Sequence, residues 1–226
     1  MISALSVGLN NMKLNLSIFS KICFLIAISS LLATEANAQD RETFLSQLNK
    51  NNREGEISLE EKQAFVNFLQ GHQEINSVLE IGLNRGASAE VFLETLPNLK
   101  YFASFDIAYH ECVPYVAEYF ASKYFPKFHF VRGDTRSSLP TYLWLNPERV
   151  FDLIFVDGGH DYEVALSDIL HCRLLAHPGT VLLVDDYNYE SVRRAVDSCV
   201  AKGVIAIDAV HPEGLKWVEA HYLFSK

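Results

Sequence analysis

The stretch from Val78 to Ser88 constrains the fold of this chain more than any other part of the sequence. It reads Val-Leu-Glu-Ile-Gly-Leu-Asn-Arg-Gly-Ala-Ser, so two glycines follow an apolar run that contains an acid. A helix-forming segment, residues 87–96, comes directly after the second glycine. This order predicts a buried strand, a tight turn and a helix N-terminus. Glycine there lets a ligand approach the backbone, and unpaired N–H groups can bind it.

The spacing of the two glycines bears on which ligand is expected. Glu80, Gly82 and Gly86 form the pattern Glu-x-Gly-x-x-x-Gly, which differs from the Gly-x-Gly-x-x-Gly of dinucleotide-binding folds. The Glu80 carboxylate can accept hydrogen bonds from an amine or a hydroxyl of a ligand. A strand-turn-helix unit without any ligand is the other interpretation, and this stretch alone leaves both open.

From Ser77 onward, apolar segments alternate with helix-forming ones. The predicted strands are Val78–Ile81, Tyr101–Phe105, Phe128–Val131, Phe151–Val156, Thr180–Val184, Val204–Val210 and Trp217–Phe224. The predicted helices are Ala87–Leu96, Val113–Tyr124, Ser138–Leu145, Tyr162–Leu175 and Ser191–Lys202. Near-continuous apolar strands between helices predict an α/β fold, a mostly parallel sheet with helices on both faces. The last two strands lack a helix between them, so an antiparallel hairpin is expected at one edge.

The first 38 residues have the organisation of a secretory signal peptide. Lys13 and Lys21 precede the apolar run 22–33, and Ala36-Asn37-Ala38 is a small-x-small cleavage pattern. The run is shorter than the roughly 20 residues of a membrane span. We therefore expect cleavage, export to the periplasm or the medium, and no stable membrane span afterwards. An uncleaved anchor and a cytoplasmic location stay open as alternatives.

Residues 39–76 have helical patterns and are predicted to form an N-terminal extension, with the main domain over 77–226. Phe44, Leu45 and Leu48 mark a first short amphipathic helix. Ser58-Leu59-Glu60-Glu61 is a capping-box signature that opens a second helix. We expect these helices to lie across the main domain as a lid or an edge.

Charge and cysteine content disfavour several classes of protein. The formal net charge of -9 argues against a nucleic-acid partner, which needs a basic face. Cys112, Cys172 and Cys199 lie outside the signal segment, and none has Cys-x-x-Cys spacing, which disfavours zinc and thioredoxin-like sites. Buried thiols and a Cys172–Cys199 disulfide are both compatible with the sequence.

Acidic residues stand at or next to the carboxyl ends of five successive predicted strands. They are Glu80, Asp106, Asp134, Asp157 and the pair Asp185-Asp186. In an open α/β sheet the ligand crevice lies outside these ends, so the acids are expected at one edge. Asp106 suits the two hydroxyls of a ribose, and Asp134 suits the exocyclic amine of adenine. Capping of the helices that follow is the alternative role, which aspartate fills well.

Several of these segments together resemble a class I S-adenosylmethionine (SAM)-dependent methyltransferase. The resemblance rests on residues 78–86, 105–106, 133–134, 151–160 and 175–187 and extends over about 77–224. More narrowly, the chain is similar to the family with an Asp-Gly-x-His-x-Tyr signature after the fourth strand and an Asp-Tyr pair after the fifth. Here these are residues 157–162 and 186–187. Catechol-type and sugar O-methyltransferases are relatives of that family.

The resemblance implies a Rossmann-like, seven-stranded sheet and a site for SAM. It places the methionine part of the cofactor over the turn 82–88, the ribose on Asp106 and the adenine near Asp134. The cofactor-binding candidates are therefore Glu80, Gly82, Asn84, Gly86, Ser88, Asp106 and Asp134.

The resemblance also implies metal assistance. Carboxylates from adjacent strand ends are hard oxygen ligands that suit Mg²⁺, and Asp157, Asp185 and Asp186 are the candidates. In metal-dependent relatives such an ion chelates two hydroxyls of the acceptor. His160 and Asp157 are the catalytic candidates, with His160 as the general base because its ordinary pKa suits proton removal near neutral pH. Capping of the helix from Tyr162 is the alternative role for His160, and a turn is the alternative for the Asp pair.

These observations predict an O-methyltransferase that acts on a small hydroxylated acceptor. A non-catalytic, exported protein that binds SAM or a nucleoside is the second hypothesis, because SAM is made in the cytosol and a signal peptide implies export. A nicotinamide dehydrogenase is the third, and the glycine spacing fits it poorly. The sequence leaves the acceptor and the oligomeric state open.

Overall fold

A computed structural model describes residues 55, 57–211 and 215–224 of the chain. The described helices are α1 (Leu59–Gln70), α2 (Ala87–Thr95), α3 (Val113–Lys123), α4 (Thr135–Leu145), α5 (Tyr162–Cys172) and α6 (Glu190–Ala201). The described strands are β1 (Ser77–Ile81), β2 (Tyr101–Asp106), β3 (Phe128–Arg132), β4 (Phe151–Val156), β5 (Ala176–Val184), β6 (Ile205–Val210) and β7 (Val218–Tyr222). The predicted signal peptide and the helix predicted around Phe44–Leu48 lie outside the described residues.

The strands form one seven-stranded sheet in the order β3-β2-β1-β4-β5-β7-β6. The first five strands pair in parallel, and β7 pairs antiparallel with both β5 and β6. The predicted α/β class, the mostly parallel Rossmann-like sheet and the antiparallel hairpin at one edge are all confirmed. Within the hairpin, β7 lies on the inside and β6 forms the outer edge.

Many element boundaries differ from the prediction by one to four residues; the helix predicted over Tyr162–Leu175, for example, ends at Cys172 and continues as a 3-10 helix over Arg173–Leu175. Two of the differences have identifiable reasons. Helix α4 begins three residues earlier than the predicted Ser138, because the Asp134 carboxylate accepts the N–H of Arg136 at 3.0 Å and caps the helix there. Strand β5 begins at Ala176, which pairs with Phe151 before the register shifts and pairing resumes between Leu153 and Val181. The sequence in that irregular part contains Pro178, which lacks an N–H, and a glycine with φ of +104°.

Helix α1 is part of the hydrophobic core. Its N-terminus has the predicted capping box, in which Glu61 N–H donates to Ser58 Oγ and Ser58 N–H donates to the Glu61 carboxylate. The buried ring of Phe65 stacks on Trp217 at 5.3 Å and meets the edge of Phe155 at 5.5 Å. Through Phe65, the helix therefore packs against the sheet and against the loop before β7. It does more than lie across the domain as a lid or an edge.

At the opposite edge of the sheet from the strand carboxyl ends, Asp152 fastens the start of β1. Its Oδ2 accepts the backbone N–H groups of Asn76 and Ser77, at 2.8 and 2.9 Å, and the Ser77 hydroxyl at 3.0 Å. Its Oδ1 lies 3.0 Å from Nε2 of His177, at the start of β5. One half-buried carboxylate thus joins three neighbouring segments.

Replacement of Asp152 by alanine is expected to lower the free energy of unfolding by about 2–4 kcal/mol, because two backbone donors lose their acceptor. Urea denaturation measures the change. Asp208→Ala is the matched control, since Asp208 is an exposed acid paired with His221 at 2.9 Å, and it is expected to cost less than about 1 kcal/mol. Equal losses in the two variants would contradict the role of Asp152.

The three cysteines of the described part are buried free thiols. The Cys172–Cys199 disulfide that the sequence left open is therefore absent there, and the interpretation as buried thiols holds. Among residues 55, 57–211 and 215–224, no helix combines the length and the apolar character that crossing a membrane requires.

Candidate functional site

The site lies where the connections of the sheet diverge. β1 and β4 are neighbours, but the chain leaves β1 towards β2 on one side and leaves β4 towards β5 on the other. Right-handed crossovers then carry α2 and α5 to opposite faces and open a crevice at the carboxyl ends of β1 and β4. The acids predicted to stand at strand ends lie around this crevice.

The turn after β1 is pressed against the end of β4. Gly82 has φ of +96°, and a Cβ on it would lie 1.9 Å from the backbone oxygen of Asp157. The Asp157 N–H in turn donates to the Ile81 oxygen at 2.8 Å. Only glycine fits this close approach, so the first glycine of the motif joins the turn to the first residue after β4.

The second glycine ends the turn and begins α2. Gly86 has φ of +77°, and a Cβ there would lie 2.2 Å from a ring carbon of Phe120 on α3. Asn84, between the two glycines, has φ of +43°, a left-handed conformation that asparagine tolerates better than most residues. The shape of the turn 82–86 is therefore fixed by its left-handed residues and by close packing on both sides.

Asp106, at the end of β2, holds this turn from the side. Its Oδ2 accepts the N–H groups of Leu83 and Asn84, both at 2.9 Å, and its Oδ1 accepts the Ala108 N–H at 2.6 Å. Asp106, the residue predicted to bind the ribose, thus lies beside the glycine turn. Oδ2 already accepts two hydrogen bonds, whereas Oδ1 accepts one and has a further acceptor position for a ribose hydroxyl.

Asp106→Ala is expected to raise the Kd of S-adenosylhomocysteine (SAH) at least about tenfold, because the turn loses its acceptor and the ribose loses a ligand. Calorimetric titration measures the change. Asp106→Asn keeps one acceptor oxygen and is expected to fall between the wild type and the alanine variant. A Kd for the alanine variant equal to that of the wild type would reject both roles.

Glu80 and Ser88 are bonded to each other behind the turn. Glu80 is fully buried, accepts the Ser88 hydroxyl at 2.7 Å and accepts the Ser104 hydroxyl of β2 at 2.5 Å. Burial, partly opposed by these hydroxyls, raises the pKa of Glu80 to about 7. The described geometry makes Glu80 a tie between β1, β2 and α2, whereas the motif predicted a direct ligand contact.

The Asp134 carboxylate is bound by one residue of α4, Arg136, through both its backbone and its side chain. It caps the helix and forms an ion pair with the Arg136 guanidinium, whose hydrogen bonds lower the pKa of Asp134 to about 2. The capping role, which was the alternative in the sequence, is thus present. Contact between Asp134 and adenine stays a prediction.

The chemistry of the crevice centres on a carboxylate–histidine cluster. Ligand atoms of Asp157, His160 and Asp186 all lie within 4.8 Å of one another. Nε2 of His160 contacts Oδ2 of Asp186 at 2.7 Å. The predicted metal ligands were Asp157, Asp185 and Asp186; the observed cluster contains His160 and not Asp185. Asp185 instead turns one oxygen to the N–H of Asp186 at 2.8 Å.

The pKa values of Asp157, in the cluster, and of its neighbour Asp185 are both raised. Burial raises the pKa of Asp157 well above its ordinary value, and the charges of Asp185 and Asp186 add to the rise. Burial likewise raises the pKa of Asp185 to about 6. Crowded carboxylates of this kind bind cations or protons readily, and raised pKa values of this origin are typical of functional sites.

His160 is held in place from three directions. Its ring stacks on Tyr189 with centroids 4.9 Å apart, and its Nε2 contacts Asp186. Its backbone oxygen accepts the Ser191 hydroxyl at 2.6 Å. About half of the side chain is exposed, so the imidazole is oriented and still accessible from the crevice.

Sequence reasoning missed two charged residues of this region. Glu61, assigned only to the capping box, is close enough for its charge to raise the pKa values of Asp157 and Asp185. Lys216, in the loop before β7, lies with its Nζ 3.8 Å from Oε1 of Glu61, and its backbone oxygen accepts the N–H of Tyr187. Neither residue stands in a motif, since each reaches the site from a distant part of the chain.

Comparison with known proteins identifies the domain. Residues 79–187 match the family model described as a methyltransferase domain. This range contains the glycine turn, Asp106 and the carboxylate–histidine cluster. This part of the chain is therefore a methyltransferase domain, which is consistent with the class I SAM-dependent type that the resemblance implied. A search of curated proteins finds no match.

Solved structures share the fold at low sequence identity. An O-methyltransferase from Bacillus cereus in complex with SAH has a TM-score of 0.65 and 16% identity, over 83% of this chain and 91% of that chain. A methyltransferase from Podospora anserina with bound SAH has a TM-score of 0.64 and 15% identity, over 81% and 88%. The O-methyltransferase TomG from Streptomyces achromogenes, involved in tomaymycin synthesis and in complex with SAM, has a TM-score of 0.60 and 18% identity, over 74% and 81%.

Proposed function

We propose that this protein transfers the methyl group of SAM to a hydroxyl oxygen of a small acceptor. The observation that carries the proposal is the contact between the two halves of the site. Gly82 of the cofactor turn lies directly against the backbone of Asp157, the first residue of the carboxylate–histidine cluster. A group bound on the turn and a hydroxyl bound at the cluster would therefore be neighbours, and positioning is the main contribution that such a transfer needs.

The residues around the turn fit SAM. The two glycines let the turn pack closely against Asp157 and Phe120, the N-terminus of α2 follows the turn, and Asp106 accepts hydrogen bonds from the backbone of the turn. We propose that Gly82, Asn84 and Gly86 face the methionine part and that Asp106 binds the ribose. When bound, SAM supplies an activated methyl group and a neutral thioether as leaving group.

The cluster fits a divalent cation as well as a proton acceptor. Asp157 and Asp186 would hold Mg²⁺ with hard oxygen ligands, and such an ion would lower the pKa of an acceptor hydroxyl. We propose that His160, oriented by Asp186 and Tyr189, takes up the proton of that hydroxyl. Asp185 and Glu61 add negative charge around the cation.

Two features favour a hydroxylated acceptor. The names of the B. cereus and S. achromogenes structures are those of O-methyltransferases, and the acids of this cluster suit a cation that binds vicinal hydroxyls. The family match gives no support to a non-catalytic binding protein or to a nicotinamide dehydrogenase. Transfer to a catechol-type diol, with the matched aromatic amine as the control acceptor, tests the choice of oxygen over nitrogen.

Calorimetric titration of SAH into the full chain, with and without Mg²⁺, tests the cofactor assignment. Micromolar binding is expected, about -8 kcal/mol, together with no heat from NAD⁺. Mg²⁺ alone is expected to give a separate heat that disappears in Asp157→Ala. Absence of SAH binding in both conditions, or tighter binding of NAD⁺ than of SAH, would overturn the proposal.

We further propose that the chain is exported, on the strength of the signal-peptide pattern in residues 1–38. Export would separate the protein from the cytosolic source of SAM. Cell fractionation with an antibody against the protein tests this. Recovery of the uncleaved chain in the cytoplasm would contradict export. It would also place the protein together with its proposed cofactor, SAM.

A further inference from the structure

Asp168 is a buried carboxyl that the proposed reaction does not use. It lies on α5, is 0% exposed, and neither of its oxygens makes a well-formed hydrogen bond within the described part of the chain, although the Thr135 hydroxyl is close enough to act on it. Burial without a full set of partners raises the pKa of Asp168 to about 6. A buried carboxyl without hydrogen bonds destabilises the folded state, and a leucine of similar size would destabilise it less. Asp168 therefore calls for a functional explanation.

The position of Asp168 links it to the crevice. A Cβ on Gly158 would lie 3.1 Å from Oδ2 of Asp168 and 3.0 Å from a methyl group of Ile81. Gly158 follows Asp157 in the turn after β4, and Ile81 is the last residue of β1. The carboxyl group thus lies directly beneath the carboxyl ends of the two strands that border the crevice.

A second turn also adjoins this carboxyl. Thr135, the buried first residue of α4, makes a polar contact that partly lowers the pKa of Asp168. Ser138 lies one turn further along α4, and its hydroxyl is likewise buried without a partner among the described residues. Gly133 packs against Ser138, since a Cβ on the glycine would lie 3.4 Å from the serine Cβ. Polar side chains from two helices therefore have unused bonding capacity beneath the turn 133–135.

The turn 133–135 needs support from this side. Asp134, the candidate for contact with adenine, is held from the solvent side by the exposed Arg136. An exposed ion pair contributes little rigidity, because water and salt screen it. The contact from beneath, through Thr135, comes from a helix packed in the core and can fix the turn more firmly.

We propose that Asp168 is a positioning residue for the adenine end of the SAM site, an inference that rests on the proposed function. From beneath, it holds the turn 133–135 and the turn at Gly158 at the separation that the adenine ring requires. Through these turns it sets the preference for adenine over other bases. Its unused acceptor capacity serves the donor groups of these turns when the base is bound.

Base discrimination tests this role. SAH and S-inosylhomocysteine, in which a carbonyl replaces the adenine amine, are titrated calorimetrically into the full chain. The wild type is expected to bind SAH at least about tenfold tighter. Asp168→Leu is expected to reduce this ratio below about threefold, whereas Asp168→Asn, which keeps the shape and two polar atoms, retains most of it.

Two further variants separate positioning from general damage to the fold. Cys172→Ala changes a buried residue on the same helix, one turn from Asp168, and is expected to lower the melting temperature without changing the ratio. Thr135→Val leaves the acid in place, removes the hydroxyl that contacts it and is expected to lower the ratio as Asp168→Leu does.

The outcomes distinguish the inference from the function on which it rests. A wild-type ratio in a folded Asp168→Leu or Thr135→Val protein would overturn the positioning role. So would equal weakening of both ligands in Asp168→Leu and Cys172→Ala. If the wild type binds neither ligand, the proposed function itself fails. If it binds SAH and only the ratios are unchanged, the function stands and this inference alone fails.

Discussion

Asp157→Ala is expected to lower kcat for methyl transfer at least about a hundredfold while the Kd of SAH changes less than about threefold. The asymmetry has a structural reason. The Asp157 side chain belongs to the carboxylate–histidine cluster, whereas its backbone oxygen is the atom in contact with Gly82 of the cofactor turn. Alanine removes the carboxylate and keeps the backbone contact. Steady-state kinetics and calorimetry on the same preparation measure the two effects.

Asp161→Ala is the matched control for this prediction. Asp161 is an exposed acid in the same loop, and its side chain makes no capping hydrogen bond to α5. Its replacement changes the loop charge by the same amount and is expected to alter kcat less than about threefold. Equal activity of Asp157→Ala and the wild type would remove the cluster from the reaction. Equal losses in both variants would point to loop charge as the cause.

Gly82→Ala is expected to lower the free energy of unfolding by at least about 4 kcal/mol and to abolish measurable SAH binding. The added methyl group meets the Asp157 backbone oxygen at 1.9 Å, which a side-chain rotation cannot relieve. The ends of β1 and β4 must then separate, and the turn that faces the cofactor changes shape. Chemical denaturation and calorimetry measure the two losses.

Gly203→Ala separates the clash from backbone strain. Gly203 also has a positive φ, +65°, but a Cβ there would have no heavy atom within 4 Å. It is therefore expected to cost only about 1 kcal/mol. The difference between the two variants measures the close contact. If both cost the same, the turn and β4 are not tightly joined.

The sequence was sufficient for the fold because the central strands are mostly apolar runs bordered by breaking or capping residues. Strand β4, for example, was predicted with its observed bounds from Phe151 to Val156. The absence of a helix between the last two strands was enough to predict the edge hairpin. The position of β7 between β5 and β6 was not predictable, since either strand of a hairpin can pair with β5.

The composition of the cluster could be predicted only in part. Asp157 and His160 stand in the signature that the resemblance identified, and they lie together. The sequence could not show whether Asp185 or Asp186 belongs to the cluster. Neighbouring residues at a strand end point in different directions, so only one of the two is expected to face the site. The backbone decides it: Asp185 N–H continues the ladder to Val156, and Asp186 has φ of +53°, which turns its carboxylate to His160.

The pattern of α5 contains a signal that sets Asp168 apart. This residue stands at helical spacing with Ala165, Ile169 and Cys172, all of which are buried, so it lies on the apolar face of the helix. An acid at such a position is unusual. Asp152 carried no comparable signal, because its partners at residues 76 and 77 are distant in the chain and come together only when β1 and β4 pair.

The inside position of β7 has a consequence for the synthesis of the protein. β7 is made after every other described strand, yet it is the neighbour through which β6 joins β5 in the described sheet. While the ribosome still holds β7, β6 therefore has no strand of the described sheet to pair with, and this sheet is completed only after β7 has left the ribosome. A premature stop before Val218 would leave exposed strand edges. Truncated products are therefore expected to aggregate or be degraded instead of accumulating as partly active enzyme.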